Sequence, residues 1–287
     1  MPELPEVETI RRTLSRLIVG RTIDRTAVTL GRMIQHPKDV AQFCVMLEGQ
    51  TVRHIGRRGK YLCILLDDYT LVSHLRMEGR YGLYSGADPV EKHTHVIFYF
   101  RDGTELRYRD VRQFGTMHLF PAGEERRHPP LRDLGLEPLD SSFTLEEFRR
   151  RLQNRPTKIK PLLLNQKYVA GIGNIYADEA LFLSGIHPER TADSLSDAEW
   201  EKLHEAVIRT LREAVEAGGS SIKSYVNGQG EMGRFQQQLR VYGRKEQPCY
   251  RCGGPIEKTV VGGRGTHICP RCQPKEAGES EHQEVCG

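Results

Sequence analysis

Four cysteines near the end of the chain are spaced as metal ligands. Two C-x2-C pairs, sixteen residues apart, lie in CYRCGGPIEKTVVGGRGTHICPRC and consist of Cys249, Cys252, Cys269 and Cys272. Thiolates bind Zn2+ tetrahedrally, and each C-x2-C turn supplies two of the four ligands. Free or disulfide-linked cysteines are the alternative. The spacing favours one structural zinc ion, because protein ligands fill all four positions.

An arginine stands between the two cysteine pairs. The segments IEKTVV and GTHIC predict two strands of a hairpin around GGRG, with Arg264 at its tip. Glycine allows backbone to approach a ligand closely, and a guanidinium there is suited to a phosphate. An ordinary exposed turn arginine is the alternative.

A second candidate site lies in VAGIGNIYADEALF. Two glycines precede Asn174, and an apolar helix follows. Asn174 is placed to cap that helix, whose free N–H groups would suit a phosphate. With a helix predicted at 159–165, this makes a helix, a tight glycine-containing connection and a second helix. A simple capped helix hairpin is the alternative.

Two further segments pair cations with apolar side chains. In LRYRDVRQFG, Arg112 and Phe114 alternate, so both can point the same way. A guanidinium beside an aromatic wedge is suited to entering a base stack. Met77, in SHLRMEGR, is compatible with a flexible apolar probe or with core packing.

The first residues, MPELPEVETI, predict a helix over 1–20. Pro5 suits the first turn, Glu6 complements the helix dipole, and apolar residues recur at spacings of three and four. A helix start does not explain Pro2 and Glu3.

The rest of the chain predicts elements that position these residues. Its 287 residues carry a net charge of +4 and suggest about two domains. There is no apolar run long enough to span a membrane and no secretion leader, so we expect no membrane partner. The cysteine pattern fits an intracellular, reducing location better than a disulfide framework. Short strand-like runs from 22 to 120 predict a sandwich or barrel, and 121–142 a linker. Helices are predicted at 145–152, 159–165, 175–184 and 197–216, followed by a flexible loop in GGSSIKSYVNGQGEMG.

Taken together, these motifs resemble the bacterial formamidopyrimidine-DNA glycosylases, which remove 8-oxoguanine and ring-opened purines from DNA. The resemblance covers about residues 1–273 and includes MPELPEVETIRR, RRGKY, SHLRMEGR, HTHV, RYRDVRQFG, GIGNIYADEALF and the cysteine module in order. It implies an α+β fold with an N-terminal helix and antiparallel β-sandwich, a helix-two-turn-helix domain and a zinc β-hairpin finger. The implied boundaries are 1–135, 136–235, 236–273 and a disordered tail at 274–287. It also implies double-stranded damaged DNA as partner, a monomer, and a cytoplasmic, nucleoid-associated location.

The resemblance also implies a mechanism. Removal of Met1 would leave Pro2 as a terminal secondary amine that attacks the sugar carbon C1′, forming a Schiff base. Glu3 would act as an acid toward the sugar or the departing base. Lys60 would bind a flanking phosphate and assist elimination. Arg264 would clamp a phosphate and assist the second step of a β,δ-elimination.

Contacts to DNA are likewise implied by the resemblance. Met77, Arg112 and Phe114 would fill the gap left by the flipped nucleotide, with Arg112 on the opposite cytosine. The residues implied to bind backbone phosphates are His74, His93, Asn174 and Arg264. The loop SSIKSYVNGQG would close over the flipped base. Pro156 stands where some relatives have a DNA-contacting lysine, which Arg155 or Lys158 could replace.

Two alternatives stay open at this point. Endonuclease VIII, the sister enzyme for oxidised pyrimidines, shares Pro2, Glu3 and usually the finger but lacks a stretch like RYRDVRQFG. A non-catalytic DNA-binding zinc protein would use the basic stretches and the finger but not Pro2 or Glu3.

Overall fold

The computed structural model describes residues 1–220 and 235–275. Part of the predicted loop in GGSSIKSYVNGQGEMG and nearly all of the tail, including Cys286, lie outside these ranges. No helix among the described residues is both long enough and apolar enough to cross a membrane.

A helix opens the chain, as predicted. Helix α1 (Leu4–Ile18) begins with Pro5 in its first turn and is held at its start by Glu6, whose carboxylate accepts the backbone N–H of Glu3 at 2.9 Å. Its apolar stripe faces two cores. Val7 and the later apolar positions join the core of the sheet region, whereas Leu4 joins the core of the helical region. The residues just before α1 therefore lie where the two regions meet.

Two sheets form the sandwich that the strand-like runs predict. The strands are β1 (Ile23–Val28), β2 (Ile34–His36), β3 (His54–Arg58), β4 (Tyr61–Leu65), β5 (Tyr69–His74), β6 (Arg80–Ser85), β7 (Thr94–Phe100), β8 (Thr104–Arg109) and β9 (Thr116–Pro121). One sheet has the order β1-β7-β8-β6, and the other has the order β2-β9-β5-β4-β3. The pairs are antiparallel except β2 with β9, which is parallel. The predicted fold class is confirmed.

One α-helix of this region was not predicted. Helix α2 (Val40–Leu47) lies between β2 and β3 and is capped by Asp39, whose carboxylate accepts the N–H groups of Ala41 and Gln42. Its sequence, VAQFCVML, is too short and too apolar to show a helical period, so its length and composition fit a buried strand equally well. The signal in the sequence for the start of this helix was Asp39, because aspartate is a preferred N-cap residue.

The helical region follows the predicted pattern closely. It comprises α3 (Leu145–Leu152), α4 (Ile159–Leu164), α5 (Asn174–Ser184) and α6 (Asp197–Glu216). Helix α3 is capped by Thr144, and α6 begins with a capping box between Ser196 and Glu199. Such caps satisfy the first N–H groups of a helix and mark its start in sequence. Trp200 is buried in the core of this region.

A two-stranded hairpin completes the fold. Strands β10 (Glu257–Val261) and β11 (Arg264–Ile268) are antiparallel and are joined by Gly262 and Gly263, both with positive φ, at 58° and 73°. A two-residue turn of this kind matches the twist of the strands and requires residues that tolerate positive φ. The glycines therefore shape the turn that presents Arg264.

Candidate active site and nucleic-acid interface

The start of the chain is seated in the glycine-containing connection between α4 and α5. Pro2 and Glu3 are buried, whereas Met1 is half exposed. The N–H of Leu4 donates to the carbonyl of Gly171 at 3.0 Å. Gly171 has a φ of 91°, and a Cβ there would lie 2.6 Å from the Leu4 side chain. The glycine is thus required both by the backbone conformation and by the close approach of α1.

The carboxylate of Glu3 caps helix α5. Its two oxygens accept the N–H groups of Ile175 at 3.1 Å and Tyr176 at 3.5 Å. A Cβ on Gly173 would lie 2.2 Å from the Glu3 carboxyl carbon, so only glycine admits this side chain. The prediction that Asn174 caps α5 is wrong, because Gly173 is the N-cap residue. The N–H groups expected to face a phosphate face the Glu3 carboxylate instead.

Burial makes the Glu3 carboxyl group a weaker acid than an ordinary glutamate. Burial raises the pKa of Glu3 to about 7; the Lys60 ammonium opposes the rise, and the Glu6 carboxylate adds to it. An uncompensated carboxylate is costly in a low-dielectric site, which favours the protonated form. Near neutral pH this group can therefore both hold a proton and release it.

Glu6 joins the three segments around this site. One carboxylate oxygen accepts the hydroxyl of Tyr176 at 2.5 Å and both the N–H and the hydroxyl of Ser220, at 2.8 and 3.0 Å. The other accepts the N–H of Glu3. A Cβ on Gly219 would lie 2.9 Å from Glu6. Glu6 thus links α1 and α5 to Ser220, the last described residue before 221–234. The remainder of the predicted base-covering loop lies outside the described residues.

Two cations face this pair of carboxylates. Lys60 is 5% exposed and lies in the turn between β3 and β4. Burial lowers the pKa of Lys60; Glu3 and Glu6 oppose this effect, and the positive charge of Arg264 reinforces it. Arg264, exposed at the start of β11, is therefore close enough to act on the same lysine. Sheet, helix and finger each contribute a charged group to one site.

A buried ion pair fixes the finger against the helices. The Lys160 ammonium on α4 donates to Asp178 of α5 at 2.6 Å and to Thr266 of β11 at 2.7 Å, and both charged side chains are fully buried. Asp178 also accepts the N–H of His267 at 2.9 Å. Asn174 donates from its amide to the carbonyl of Gly265, next to Arg264, at 2.8 Å. These bonds set where the hairpin tip lies relative to Glu3.

The four predicted metal ligands converge. The sulfur atoms of the four cysteines all lie within 4.8 Å of one another, with Cys249 and Cys272 3.9 Å apart and Cys252 and Cys269 3.4 Å apart. A tetrahedral Zn2+ with bonds of about 2.3 Å requires sulfur separations close to these. Four thiolates suit a structural zinc site, which leaves no open position for a substrate.

Comparison with known proteins agrees with this geometry. The chain matches three family models, for the N-terminal domain of formamidopyrimidine-DNA glycosylase at residues 1–117, its H2TH domain at 134–226, and a zinc finger found in FPG and IleRS at 246–275. The formamidopyrimidine-DNA glycosylase of Brevibacillus brevis is 62% identical over 276 residues, covering 96% of this chain and all of that protein. The chain belongs to the formamidopyrimidine-DNA glycosylase family.

Solved structures agree with the family assignment. The Lactococcus lactis FPG bound to DNA containing FAPY-dG is 43% identical, with a TM-score of 0.88, and covers 95% of this chain and all of that one. MutM in complex with DNA containing carbocyclic 8-oxo-G is 44% identical, with a TM-score of 0.89, and covers 96% of this chain and all of that one. The finger model and the cysteine cluster together make the finger of this glycosylase-family chain a structural zinc site.

Within this glycosylase fold, Met77, Arg112 and Phe114 are all exposed. Met77 lies in the turn between β5 and β6, and the other two lie in the loop between β8 and β9. The Arg112 guanidinium lies 5.3 Å from the centre of the Phe114 ring. The core-packing alternative for Met77 does not hold, because its side chain is 38% exposed.

The two histidines expected at phosphates differ in their surroundings. His74 is buried, and its Nδ1 accepts the N–H of Arg76 at 2.9 Å, so the ring proton is on Nε2. Burial, reinforced by the positive charges of Arg76 and Lys60, lowers the pKa of His74 to about 3. His74 is thus a neutral hydrogen-bond donor rather than a cation. His93 is half-buried and has a φ of 68°.

Sequence reasoning missed the residues that hold the finger and the loop between β8 and β9 in place. Lys160 and Asp178 had a signal, since Lys160 is the only charge in the apolar helix IKPLLL, and Asp178 and Glu179 are the only charges in the apolar stretch NIYADEALF. Buried charges require partners, so such a pair is a candidate contact. Asp110, between β8 and β9, gave no such signal.

Proposed function

We propose that this chain removes oxidised purines from duplex DNA by attack of the Pro2 nitrogen on C1′ and then cleaves the strand by β,δ-elimination. Family membership makes it a DNA repair glycosylase with an associated abasic-site lyase activity. The observation that supports the Pro2 mechanism is the burial of Pro2 beside Glu3, whose pKa is about 7 and whose charge interacts with that of Lys60.

The first step requires a terminal amine. Within a peptide bond the Pro2 nitrogen is an amide with little nucleophilicity, so the active enzyme must lack Met1. The freed nitrogen attacks C1′, the glycosidic bond breaks, and the base leaves with its electron pair. The nitrogen then loses its proton, and its lone pair expels the ring oxygen from C1′, which opens the sugar and forms the iminium. Glu3 supplies the proton, either to the sugar oxygen as the ring opens or to the departing base. Its pKa of about 7 provides an acid at neutral pH.

Strand cleavage uses the two cations. The iminium at C1′ acidifies the neighbouring sugar carbon, so loss of its proton expels the phosphate on one side and a second elimination expels the other. Lys60 holds a flanking phosphate and assists elimination, and its buried position lowers its pKa, which favours proton exchange. Arg264 clamps a phosphate beside the lesion. The hydrogen bonds of Lys160 with Asp178 and Thr266 join α4, α5 and β11 and hold Arg264 at that place.

Exposed side chains of the sheet region make the proposed contacts with the bases, and other side chains bind backbone phosphates. Met77, Arg112 and Phe114 fill the space left by the flipped nucleotide, and Arg112 contacts the opposite base. Extrusion of the nucleotide costs a few kcal/mol, which these contacts offset. His74 donates its Nε2–H to a phosphate. His93 and Asn174 are proposed phosphate contacts as well. Because Glu3 already accepts the N–H groups of Ile175 and Tyr176, Asn174 would bind a phosphate through other groups.

The domain boundaries given above, the monomeric state and the cytoplasmic, nucleoid-associated location are part of the same proposal. The separate cores of the sheet and helical regions support the boundary between those two regions, and the bacterial origin of the similar glycosylases supports the cytoplasmic location.

Borohydride trapping tests the proposal. Incubation with an 8-oxoguanine duplex and borohydride should give a covalent adduct that mass spectrometry maps to Pro2, in a chain lacking Met1. Pro2→Gly should nearly abolish base removal and leave binding to an abasic-site analogue largely intact. An adduct on another residue, or an active chain that retains Met1, would overturn the Pro2 mechanism. Faster cleavage at thymine glycol opposite A would favour the pyrimidine-specific alternative.

A further inference from the structure

The loop between β8 and β9 is folded around one carboxylate. Asp110 is 1% exposed, and its Oδ1 accepts the N–H of Arg112 at 3.1 Å, while its Oδ2 accepts those of Phe114 at 2.9 Å and Gly115 at 2.8 Å. Its backbone carbonyl accepts the N–H of Gln113 at 3.3 Å. Four consecutive N–H groups thus end on a single residue. A short loop with four backbone hydrogen bonds to the oxygen atoms of one residue has little freedom to rearrange.

The same loop has a backbone conformation that needs support. Gln113, between Arg112 and Phe114, has a φ of 60°, in the left-handed region that disfavours a residue with a Cβ. In this conformation both neighbouring side chains are exposed, and the Arg112 guanidinium lies 5.3 Å from the centre of the Phe114 ring. The bonds to Asp110 hold the backbone in this shape.

Asp110 is itself fixed to the neighbouring strand. Its N–H donates to the carbonyl of His93 at 3.0 Å, and its carbonyl lies 3.0 Å from Nε2 of His95 on β7. The carboxylate therefore has a defined position before DNA arrives.

A buried tyrosine supports this loop and the neighbouring one. A Cβ on Gly115 would lie 1.8 Å from the Tyr108 hydroxyl, and one on Gly79 would lie 2.1 Å from it. Gly79 closes the turn that carries Met77, through its N–H to the carbonyl of Leu75 at 2.9 Å. Both loops therefore rest on the same hydroxyl.

We propose that Asp110 is the positioning residue that presets Arg112 and Phe114 for entry into the base stack and for reading the opposite base. The inference rests on the proposed DNA contacts of those two side chains. Asp110 does not touch DNA; it lowers the conformational cost of binding by holding the loop in the required shape beforehand.

Discrimination between opposite bases tests this role. Single-turnover rates of base release are measured for 8-oxoguanine opposite C and opposite A, for the unmodified enzyme, Arg112→Ala, Asp110→Ala and Asp110→Asn. Asp110→Ala should lower the C-to-A ratio of rates about tenfold, within the range that one base contact contributes. Asp110→Asn, which has the same shape but only one accepting oxygen, should give an intermediate ratio. The double variant Asp110→Ala, Arg112→Ala should have the same ratio as Arg112→Ala.

Asp39→Asn is the matched control, because its carboxylate also accepts backbone N–H groups but at the start of α2, away from the loops. It should leave the ratio unchanged. An unchanged ratio in both Asp110 variants, with a collapsed ratio in Arg112→Ala, would overturn the inference and leave the proposed function intact. An unchanged ratio in Arg112→Ala would overturn the proposed role of Arg112, and the inference with it. If Asp110→Ala does not fold, the ratio for Asp110→Asn decides.

Discussion

The pH dependence of base release should follow the buried carboxyl group of Glu3. A carboxyl group with a pKa of about 7 is half protonated at pH 7, whereas at its ordinary value of 4.5 only about one molecule in 300 would carry the proton. The buried position between α1 and α5 thus increases the acid form about 150-fold at neutral pH.

Single-turnover base release on an 8-oxoguanine duplex, measured from about pH 6 to pH 9.5, separates the groups involved. For the unmodified enzyme the rate should rise as the Pro2 amine loses its proton, and then fall about tenfold per pH unit on the alkaline side as Glu3 ionises. Glu3→Gln should be slow and should lack the alkaline fall. Lys60→Met should move that fall to higher pH, because the Lys60 ammonium lowers the pKa of Glu3.

Glu8→Gln is the control, since Glu8 lies on α1 but pairs with Arg11 and Arg12. It should leave the profile in place. An alkaline fall that persists in Glu3→Gln, or that moves to lower pH in Lys60→Met, would refute the assignment of Glu3 as the acid.

The same pKa shift makes a prediction about stability. The pKa of Glu3 is raised in the folded state, so its contribution to stability is present below its unfolded value of 4.5 and is lost as the pH rises through about 7. Between about pH 5 and pH 8 the free energy of unfolding should therefore fall by about 2 to 3 kcal/mol more in the unmodified enzyme than in Glu3→Gln. Urea titrations at both pH values measure the difference, and equal falls in the two proteins would contradict burial of a titrating Glu3.

Three further expectations follow from the finger and its surroundings. Arg264→Ala should reduce the slope of log affinity against log salt by about one unit. His74→Ala should weaken DNA binding without changing that slope, because His74 is neutral. Fluorescence anisotropy measured from low to high salt distinguishes the two outcomes. Lys160→Met should destabilise the helical region by about 3 to 5 kcal/mol, because it leaves Asp178 buried without a counter-charge, and adding Asp178→Asn should recover part of that loss in urea titrations. Chelation of zinc, or Cys252→Ala, should abolish DNA binding while circular dichroism still shows the sheet signal; readdition of zinc should restore binding only to the chelated protein.

The sequence by itself determined most of the elements, though not α2, and the chemical types of the site residues. The spacing of the cysteines indicated a zinc finger, and caps such as Thr144 and Ser196 marked helix starts, because these signals depend on groups only a few residues apart. The paired glycines between the two finger strands likewise indicated the turn that carries Arg264.

The tertiary structure alone decided which of these groups act on one another. Glu3 caps a helix that begins 171 residues later in the chain, so no local pattern could show that it, rather than a phosphate, occupies those N–H groups. Its acidity depends on burial by segments from both regions, and the place of Arg264 depends on the contact of Lys160 with the finger. Burial and charge interactions depend on distance in space, which the order of residues leaves open until the chain has packed.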